Sequence, residues 1–300
     1  MNVLEVNNLS ISFFRYDFGL KRKELQVITG LNIAIREGEI LAVAGSSGSG
    51  KSLLAHAVLG ILPKNAVIAG GMKWFGQALT PALQRKLRGR ELALVPQSVE
   101  FLDPVMRVGR QVSRNSSAVR AVFARYGLDE STALRYPFQL SGGMARRALV
   151  STAVIGGAKL IIADEPTPGL SEELAESAMG HFRELAESGG AILLITHDLD
   201  LAVRYADRIA IFYAGTTVET AGAGDFAEAR LLRHPYSKAL CRAMPQKEFR
   251  AVPGFQPYPG DLPAGCLYAP RCEWKTPECE AAPPAPRWIR NGEVRCNHAS

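Results

Sequence analysis

The stretch Gly45-Ser-Ser-Gly-Ser-Gly-Lys51-Ser52 decides the fold of this 300-residue chain. It follows the short apolar run Glu39–Val43 and precedes a helical pattern, so it joins a buried strand to a helix. Its glycines let the backbone turn so tightly that consecutive amide N–H groups point at phosphate oxygens. The pattern predicts a phosphate-binding loop at the carboxyl end of a strand.

The chemistry of a bound nucleotide assigns a task to the charged and hydroxyl side chains of this loop. Lys51 reaches the outer phosphates beside the positive end of the helix dipole, and the Ser52 hydroxyl ligates magnesium. A tight glycine turn without a ligand is the structural alternative. The predicted nucleotide-binding residues of the loop are Gly45, Ser46, Ser47, Gly48, Ser49, Gly50, Lys51 and Ser52.

Two carboxylates end a second apolar run, Leu160–Ala163. A buried strand delivers Asp164 beside the phosphates, where it can hold the magnesium shell directly or through water. Glu165 then lies where an attacking water belongs, and a carboxylate there can orient or deprotonate that water. An isolated acidic strand end is usually a solvated turn, but after a phosphate loop it predicts hydrolysis of a nucleotide.

A second loop, Leu140-Ser141-Gly142-Gly143-Met144, opens a helix and can bind another anion. An ordinary helix cap by Ser141 is the alternative. Together with the two preceding motifs, it resembles the signature loop of the ABC ATPase family, over about residues 1–230. The resemblance implies an α/β P-loop NTPase fold: an ABC-type nucleotide-binding domain with a RecA-like core, a helical subdomain and a small Cys/Pro-rich C-terminal extension.

Further residues resemble that family's functional positions. Gln97 looks like the glutamine that senses nucleotide and touches a membrane partner, and His197 looks like the histidine that contacts the terminal phosphate. Phe13 resembles the aromatic that stacks on adenine, with Phe14 and Tyr16 as alternatives. The resemblance implies ATP with Mg²⁺ held by Ser52, Gln97 and Asp164, and catalysis by Glu165, His197 and Gln97.

The family resemblance also implies a head-to-tail dimer. Each ATP would lie between one subunit's phosphate loop and the other subunit's Ser141, Gly142 and Gly143. Two positions depart from the family pattern: Met144 stands where many members have glutamine, and Ser171 stands where aspartate is usual. Because the Ser171 loop normally crosses the dimer interface, we expect a pairing with a second, homologous but different ATPase.

Apolar runs that alternate with helical patterns predict a parallel sheet flanked by helices. Expected strands are Glu39–Val43, Glu91–Val95, Leu160–Ala163, Ala191–Thr196, Arg208–Tyr213 and Thr216–Glu219. We predict an ATPase domain over residues 1–232, with a helical subdomain at about 99–156, and an extension over residues 233–300. From Val252 onward the chain is rich in proline, glycine and cysteine, which predicts a separate appendage with little apolar core.

The extension carries its own resemblance. The stretches His234-Pro-Tyr-Ser-Lys-Ala-Leu240 and Gly265-Cys-Leu-Tyr-Ala-Pro-Arg-Cys272 resemble the ATPases of oligopeptide, dipeptide and nickel uptake. That branch imports small peptides, nickel or related metal chelates. Its members work with two membrane permease subunits and an extracytoplasmic substrate-binding protein, on the cytoplasmic face of the inner membrane. The specificity pocket lies in those partners, so the sequence leaves the cargo open.

Four cysteines of the extension form a candidate metal site. A metal would replace the apolar core that this Pro-rich stretch lacks. Thiolates suit zinc or an iron–sulfur cluster, and the spacing does not choose between them. The resemblance to the peptide-import branch favours [4Fe–4S] over Zn²⁺; unligated cysteines and a disulfide are the alternatives. The predicted ligands are Cys266, Cys272, Cys279 and Cys296.

Composition limits the other function classes. The net charge of +6 is a modest excess without a basic cluster, so no nucleic-acid partner is expected. Met1–Phe14 lacks the pattern of a secretory signal, and no apolar stretch of about 18 residues predicts a membrane span, so a soluble protein is expected. DNA-repair ATPases share this head, but they generally carry long coiled coils or Cys-x-x-Cys modules, which this sequence lacks. A phosphate-loop kinase would leave Ser141-Gly-Gly and the tail unexplained.

Overall fold

Two sheets organise residues 1–16, 22–46 and 48–299, which the computed structural model describes. The strands are β1 Asn2–Tyr16, β2 Arg22–Arg36, β3 Ile40–Ala44, β4 Ala66–Trp74, β5 Gln77–Ala78, β6 Leu92–Val95, β7 Leu160–Asp164, β8 Ala191–Thr196, β9 Arg208–Tyr213, β10 Thr216–Gly222, β11 Arg287–Ile289 and β12 Gly292–Val294. The helices are α1 Lys51–Leu59, α2 Pro81–Leu87, α3 Val108–Val112, α4 Ser116–Arg125, α5 Gly142–Val154, α6 Glu172–Glu187, α7 Leu199–Tyr205, α8 Pro235–Ala243 and α9 Pro277–Ala281.

The larger sheet has eight strands in the order β11-β12-β10-β9-β3-β8-β7-β6. Strands β9, β3, β8, β7 and β6 pair in parallel, as the sequence predicts, whereas β10, β12 and β11 pair antiparallel. Parallel strands end at one edge of a sheet. The loops after β3, β7 and β8 therefore meet at the edge where the sequence predicts the nucleotide site. The smaller, antiparallel sheet has the order β2-β1-β4-β5.

Alternate side chains of the central strands enter two different apolar cores. In β3, Ile40 and Ala42 face one core, and Leu41 and Val43 face the other. The first core lies under α4, α5 and α6, and the second lies between the two sheets and under α1. Burial on both faces explains why these strands are continuous apolar runs in the sequence.

The segment after β6 is helical, with α3, α4 and α5 before the chain returns to β7. Val108, Val119 and Phe123 bury their side chains in the first core together with Ala148 of α5. The segment is therefore helical, as predicted, and α5 begins within it, directly after Ser141. The proposed boundaries at residues 99 and 156 stay a prediction.

The C-terminal stretch packs on the rest of the protein and shares the larger sheet and the first core. Strand β12 pairs with β10, with Val294 opposite Glu219. Tyr236, Cys241 and Tyr268 are buried in the first core. The sequence misses this attachment because the contacts are made by a few scattered residues rather than by a periodic pattern. The division of the chain at residue 232 remains a prediction.

Helices of the described residues are too short or too polar to cross a bilayer. The longest, α6, has 16 residues and exposes several charged side chains.

Candidate functional site

The phosphate loop lies between β3 and α1, as the sequence predicts. A side chain at Gly45 would place its Cβ 2.2 Å from the Phe212 carbonyl oxygen, so glycine is required there. Gly50 has φ +100°, which also favours glycine. The Lys51 ammonium donates to the carbonyl oxygens of Gly45 and Ser46, each at 2.9 Å. Ser47 lies outside the described residues.

Lys51 and the two carboxylates at the end of β7, Asp164 and Glu165, form one electrostatic group. Burial lowers the pKa of Lys51, while the charges of Glu165 and Asp164 oppose that shift. Burial raises the pKa of Asp164, and a hydrogen bond with the Ser52 side chain opposes it. The strand end and the loop thus bring a lysine, two carboxylates and a serine hydroxyl together.

Asp164 Oδ1 is buried and has no hydrogen-bond partner among the described residues. Buried carboxylate oxygens normally have a partner, because an unpaired one loses its hydration without compensation. The Ser52 hydroxyl beside it supplies a second hard oxygen. An unpaired carboxylate oxygen and a hydroxyl next to a phosphate loop suit Mg²⁺, which prefers oxygen ligands and phosphate.

Glu165 and His197 are in direct contact. The His197 Nδ1 atom lies 2.8 Å from both carboxylate oxygens of Glu165. Glu165 has φ +49°, and its N–H donates to the Ile195 carbonyl oxygen at 2.9 Å, so β8 holds this unfavourable backbone conformation. Both side chains line a cavity of about 450 Å³. A fixed carboxylate beside an imidazole can orient and deprotonate a water molecule.

Arg146 of α5 is a site residue that the sequence reasoning missed. Its guanidinium donates to the carbonyl oxygens of Pro96 at 2.8 Å and of Gln97 at 2.6 Å. It also donates to the carbonyl oxygens of Pro166, at 3.0 Å, and Glu165. The segment of Gln97 is thereby tied to the segment of Glu165. A charged residue among the apolar positions of a helix is the sequence signal that could have identified it.

The remaining predicted site residues make no hydrogen bond with the phosphate loop among the described residues. Gln97 is exposed after β6, and Ser141 is exposed directly before α5, where its Oγ accepts from the Met144 N–H at 3.3 Å. That bond is the helix cap that the sequence allowed, and both Ser141 and Gly142 are exposed. Phe13 is half-buried against the second core. The choice of an adenine-stacking aromatic stays open.

The four extension cysteines line one small cavity of about 10 Å³ together with His234. All four are free thiols. Within the described ranges, no three His, Cys, Asp or Glu side chains stand in an arrangement that could hold a metal ion. Burial raises the pKa of Cys266 and Cys272, and raises that of Cys296 to about 11. Those three thiols are therefore protonated at neutral pH in this arrangement.

The arrangement of Lys51, Asp164, Glu165 and His197 is that of a phosphate-loop ATPase, and known protein families match this chain. Residues 28–168 match the ABC transporter family, and residues 218–279 match the oligopeptide/dipeptide transporter C-terminal region. The oligopeptide transport ATP-binding protein AppD of Bacillus subtilis is 32% identical over 98% of this chain and 96% of its own. The dipeptide transport ATP-binding protein DppD of Escherichia coli is 32% identical over 99% of this chain and 97% of its own.

Solved structures agree on the fold. A dimeric ATP-binding cassette in a post-hydrolysis state, bound to ADP and Pi, has a TM-score of 0.64 at 23% identity, over 73% of this chain and 98% of that cassette. The chain belongs to the ATP-binding subunits of ABC transporters, in the branch with the oligopeptide/dipeptide transporter C-terminal region. Members of this family are ATPases coupled to transport, and so is this chain.

Proposed function

We propose that this chain drives an importer for small peptides. The relatives in Bacillus subtilis and Escherichia coli are named as oligopeptide and dipeptide transport proteins and match nearly its full length. The observation that carries the hydrolytic role is the contact of Glu165 with His197 beside the Lys51 and Asp164 group. Nickel or a metal chelate is the alternative cargo that the experiment below tests.

We assign the site residues the following roles. Lys51 and the loop amides hold the phosphates, and Ser52, Gln97 and Asp164 hold Mg²⁺ directly or through water. Glu165 activates the attacking water, and His197 contacts the terminal phosphate while it fixes the Glu165 carboxylate. Arg146 keeps the backbones of the Gln97 and Glu165 segments together. A movement of Gln97, which would contact the membrane partner, is thereby transmitted to Glu165, which would activate the water.

The partners follow from the surface as well as from the relatives. Five exposed apolar side chains lie on the helical region or next to it, where two permease subunits would dock. Their exposed fractions are 62% for Phe101, 82% for Val105, 43% for Met106, 65% for Leu134 and 76% for Phe138. We infer a position on the cytoplasmic face of the membrane, with an extracytoplasmic substrate-binding protein on the other side. Ser171, exposed at the start of α6, supports pairing with a second, different ATPase.

We further propose that Cys266, Cys272, Cys279 and Cys296 hold a metal centre, [4Fe–4S] in preference to Zn²⁺. Two observations support it: the four thiols line one cavity, and the buried His234 Nε2 in its wall has no partner among the described residues. A cation would lower the thiol pKa values and convert the thiols to ligands. Since the cavity has room for about one water molecule and no three ligating side chains among the described residues stand in a metal-binding arrangement, loading must rearrange the thiols. The centre would be structural.

The transport proposal is tested with the whole complex in vesicles. ATP hydrolysis should rise when the binding protein carries a di- or oligopeptide, and labelled peptide should accumulate. Stimulation by nickel or a nickel chelate, with no response to any peptide, would contradict peptide import. The Glu165→Gln complex is the matched control, because it should bind ATP and leave the peptide outside.

The metal proposal is tested separately on anaerobically purified protein. Iron and sulfide in equal amounts, with broad absorbance near roughly 400 nm that disappears in Cys→Ser variants, are expected for an iron–sulfur cluster. One bound zinc in colourless protein would change the metal and keep the site. Protein without iron or zinc would remove the site and leave the transport proposal unaffected.

A further inference from the structure

Ser46 of the phosphate loop is hydrogen-bonded to a side chain of the C-terminal stretch. Its Oγ–H donates to Gln256 Oε1 at 2.9 Å. A serine hydroxyl has one proton, and this bond commits it to Gln256. The C-terminal stretch therefore fixes the orientation of the Ser46 side chain.

Tyr236 is held rigidly. It is 3% exposed, and its ring centroid lies 4.5 Å from that of Tyr213 and 5.3 Å from that of Tyr268. Burial raises its pKa to about 12, so its hydroxyl stays protonated at physiological pH. Tyr236 therefore forms a fixed wall of the cavity that Ser46 and Gln256 also line.

Gln256 is tied to the same aromatic group through Arg271. The guanidinium donates to the carbonyl oxygens of Pro253, at 2.7 Å, and Val252, at 3.1 Å. It also donates to the Tyr213 hydroxyl at 3.3 Å. The irregular segment that carries Gln256 is thereby fastened at its start. Ser46, Tyr236 and Gln256 line one cavity of about 530 Å³.

Fixing Ser46 also fixes the residues that are predicted to bind phosphate. The Ser46 carbonyl oxygen accepts from Lys51 Nζ at 2.9 Å and from Ser49 Oγ at 2.8 Å. A loop that is already ordered loses less conformational freedom when its ligand binds. Contacts to Ser46 should therefore strengthen nucleotide binding without touching the nucleotide.

We propose that Gln256 is a positioning residue of the ATP site, so that the C-terminal extension preorganises the phosphate loop. The role is independent of the cargo and of any metal at the cysteines. It rests on ATP binding at the phosphate loop. It gives the irregular stretch between α8 and the cysteines a task that the transport proposal does not assign.

The test uses the full-length chain and measures the Kd for MgATP by calorimetry. Gln256→Ala should raise the Kd about 2- to 10-fold, the effect of one hydrogen bond. In steady-state hydrolysis, KM should rise by the same factor with kcat unchanged, because the lost contact supports bound ground and transition states equally. Gln77→Ala is the matched control, because Gln77 is an exposed glutamine of β5 and its removal should leave the Kd unchanged.

A double-mutant cycle separates positioning from general packing. In a Ser46→Ala background, Gln256→Ala should have no further effect, since the donor to Gln256 is gone. Gln256 is half-buried in an irregular segment, so Gln256→Ala should leave the chain folded. Wild-type Kd in Gln256→Ala, or an undiminished Gln256→Ala effect in the Ser46→Ala background, would overturn the proposal. A wild-type chain that binds no MgATP would instead overturn the nucleotide site itself.

Discussion

Replacing Arg233 with methionine should loosen the C-terminal hairpin β11–β12 from the cassette. The Arg233 side chain is 1% exposed, and its Nη1 atom lies 3.2 Å from Glu219 Oε1 and 2.8 Å from Asp225 Oδ2. Its Nε donates to the carbonyl oxygen of Ile289 at 2.7 Å, and Nη2 donates to that of Arg290. One side chain therefore joins β10 to the turn of the hairpin, and methionine keeps its length without its donors.

The free-energy cost of Arg233→Met follows from the buried carboxylate of Glu219, which the substitution leaves without its arginine. Glu219 is 0% exposed and keeps its hydrogen bonds from the backbone N–H groups of Arg233 and His234, both at 2.9 Å, but it loses its counter-ion. Removing one partner of a buried ion pair costs about 3–5 kcal/mol because the other charge stays buried. At about 1.4 kcal/mol per factor of ten, local opening of the hairpin should become two to four powers of ten more frequent.

Hydrogen exchange followed by mass spectrometry measures this opening directly in the peptides that contain β10 and β12. The bond from the Arg295 N–H to the Val218 carbonyl oxygen, 2.9 Å long, is one reporter. Arg230→Met is the control, since that arginine is 80% exposed and should leave exchange unchanged. Adding Glu219→Gln to Arg233→Met should recover part of the protection by removing the uncompensated charge. Exchange within tenfold of wild type in Arg233→Met, or no recovery in the double variant, would refute the reasoning.

Three further predictions concern the site. Lys51→Ala should abolish ATP turnover, and Glu165→Gln should bind ATP but stall hydrolysis. Nucleotide binding and single-turnover rates in the complex measure both effects. Hydrolysis near the wild-type rate in Glu165→Gln would reject Glu165 as the base. Arg146→Lys should lower kcat about 100-fold with MgATP affinity unchanged, because one ammonium cannot hold the carbonyl groups that the guanidinium bridges. Asp164→Asn should stabilise the nucleotide-free chain at pH 7, since burial raises the Asp164 pKa. The folded state gains stability from protonating Asp164 at low pH and loses it as pH rises through the raised pKa, so the Tm advantage of the variant should shrink towards pH 4. A pH-independent difference in Tm would contradict this.

The sheet was predictable because its central strands are buried on both faces. Residues of β3 and β8 are all buried, and each strand contains an uninterrupted apolar run of five residues. The phosphate loop was predictable because its glycines recur at a fixed spacing before Lys51 and Ser52, and Gly50 has the positive φ that favours glycine. Features that depend on a few neighbouring residues are readable from one sequence.

The contact between Glu165 and His197 depends on which strands are neighbours. Strand β7 pairs with β8 in a register that sets Asp164 opposite Ile195, and this places the residues that follow both strands side by side. Strand neighbours are chosen by packing across the whole core, which no local pattern records. The sequence indicated Glu165 from the acidic end of an apolar strand and His197 through a family resemblance, but their distance came from the structure.

The same reason hides the contacts of the extension. Arg233 lies beside a stretch that resembles a turn before a helix, and nothing local to it indicates a buried ion pair. Nothing local to Gln256 indicates a bond to Ser46. Both residues contact groups far away in sequence: Arg233 donates to the Ile289 carbonyl oxygen, and Gln256 accepts from Ser46. Such contacts become visible only when the sheet has brought β10 and β3 together through β9. An extension that shares the sheet and touches the ATP loop should then influence nucleotide binding, whatever its cysteines hold.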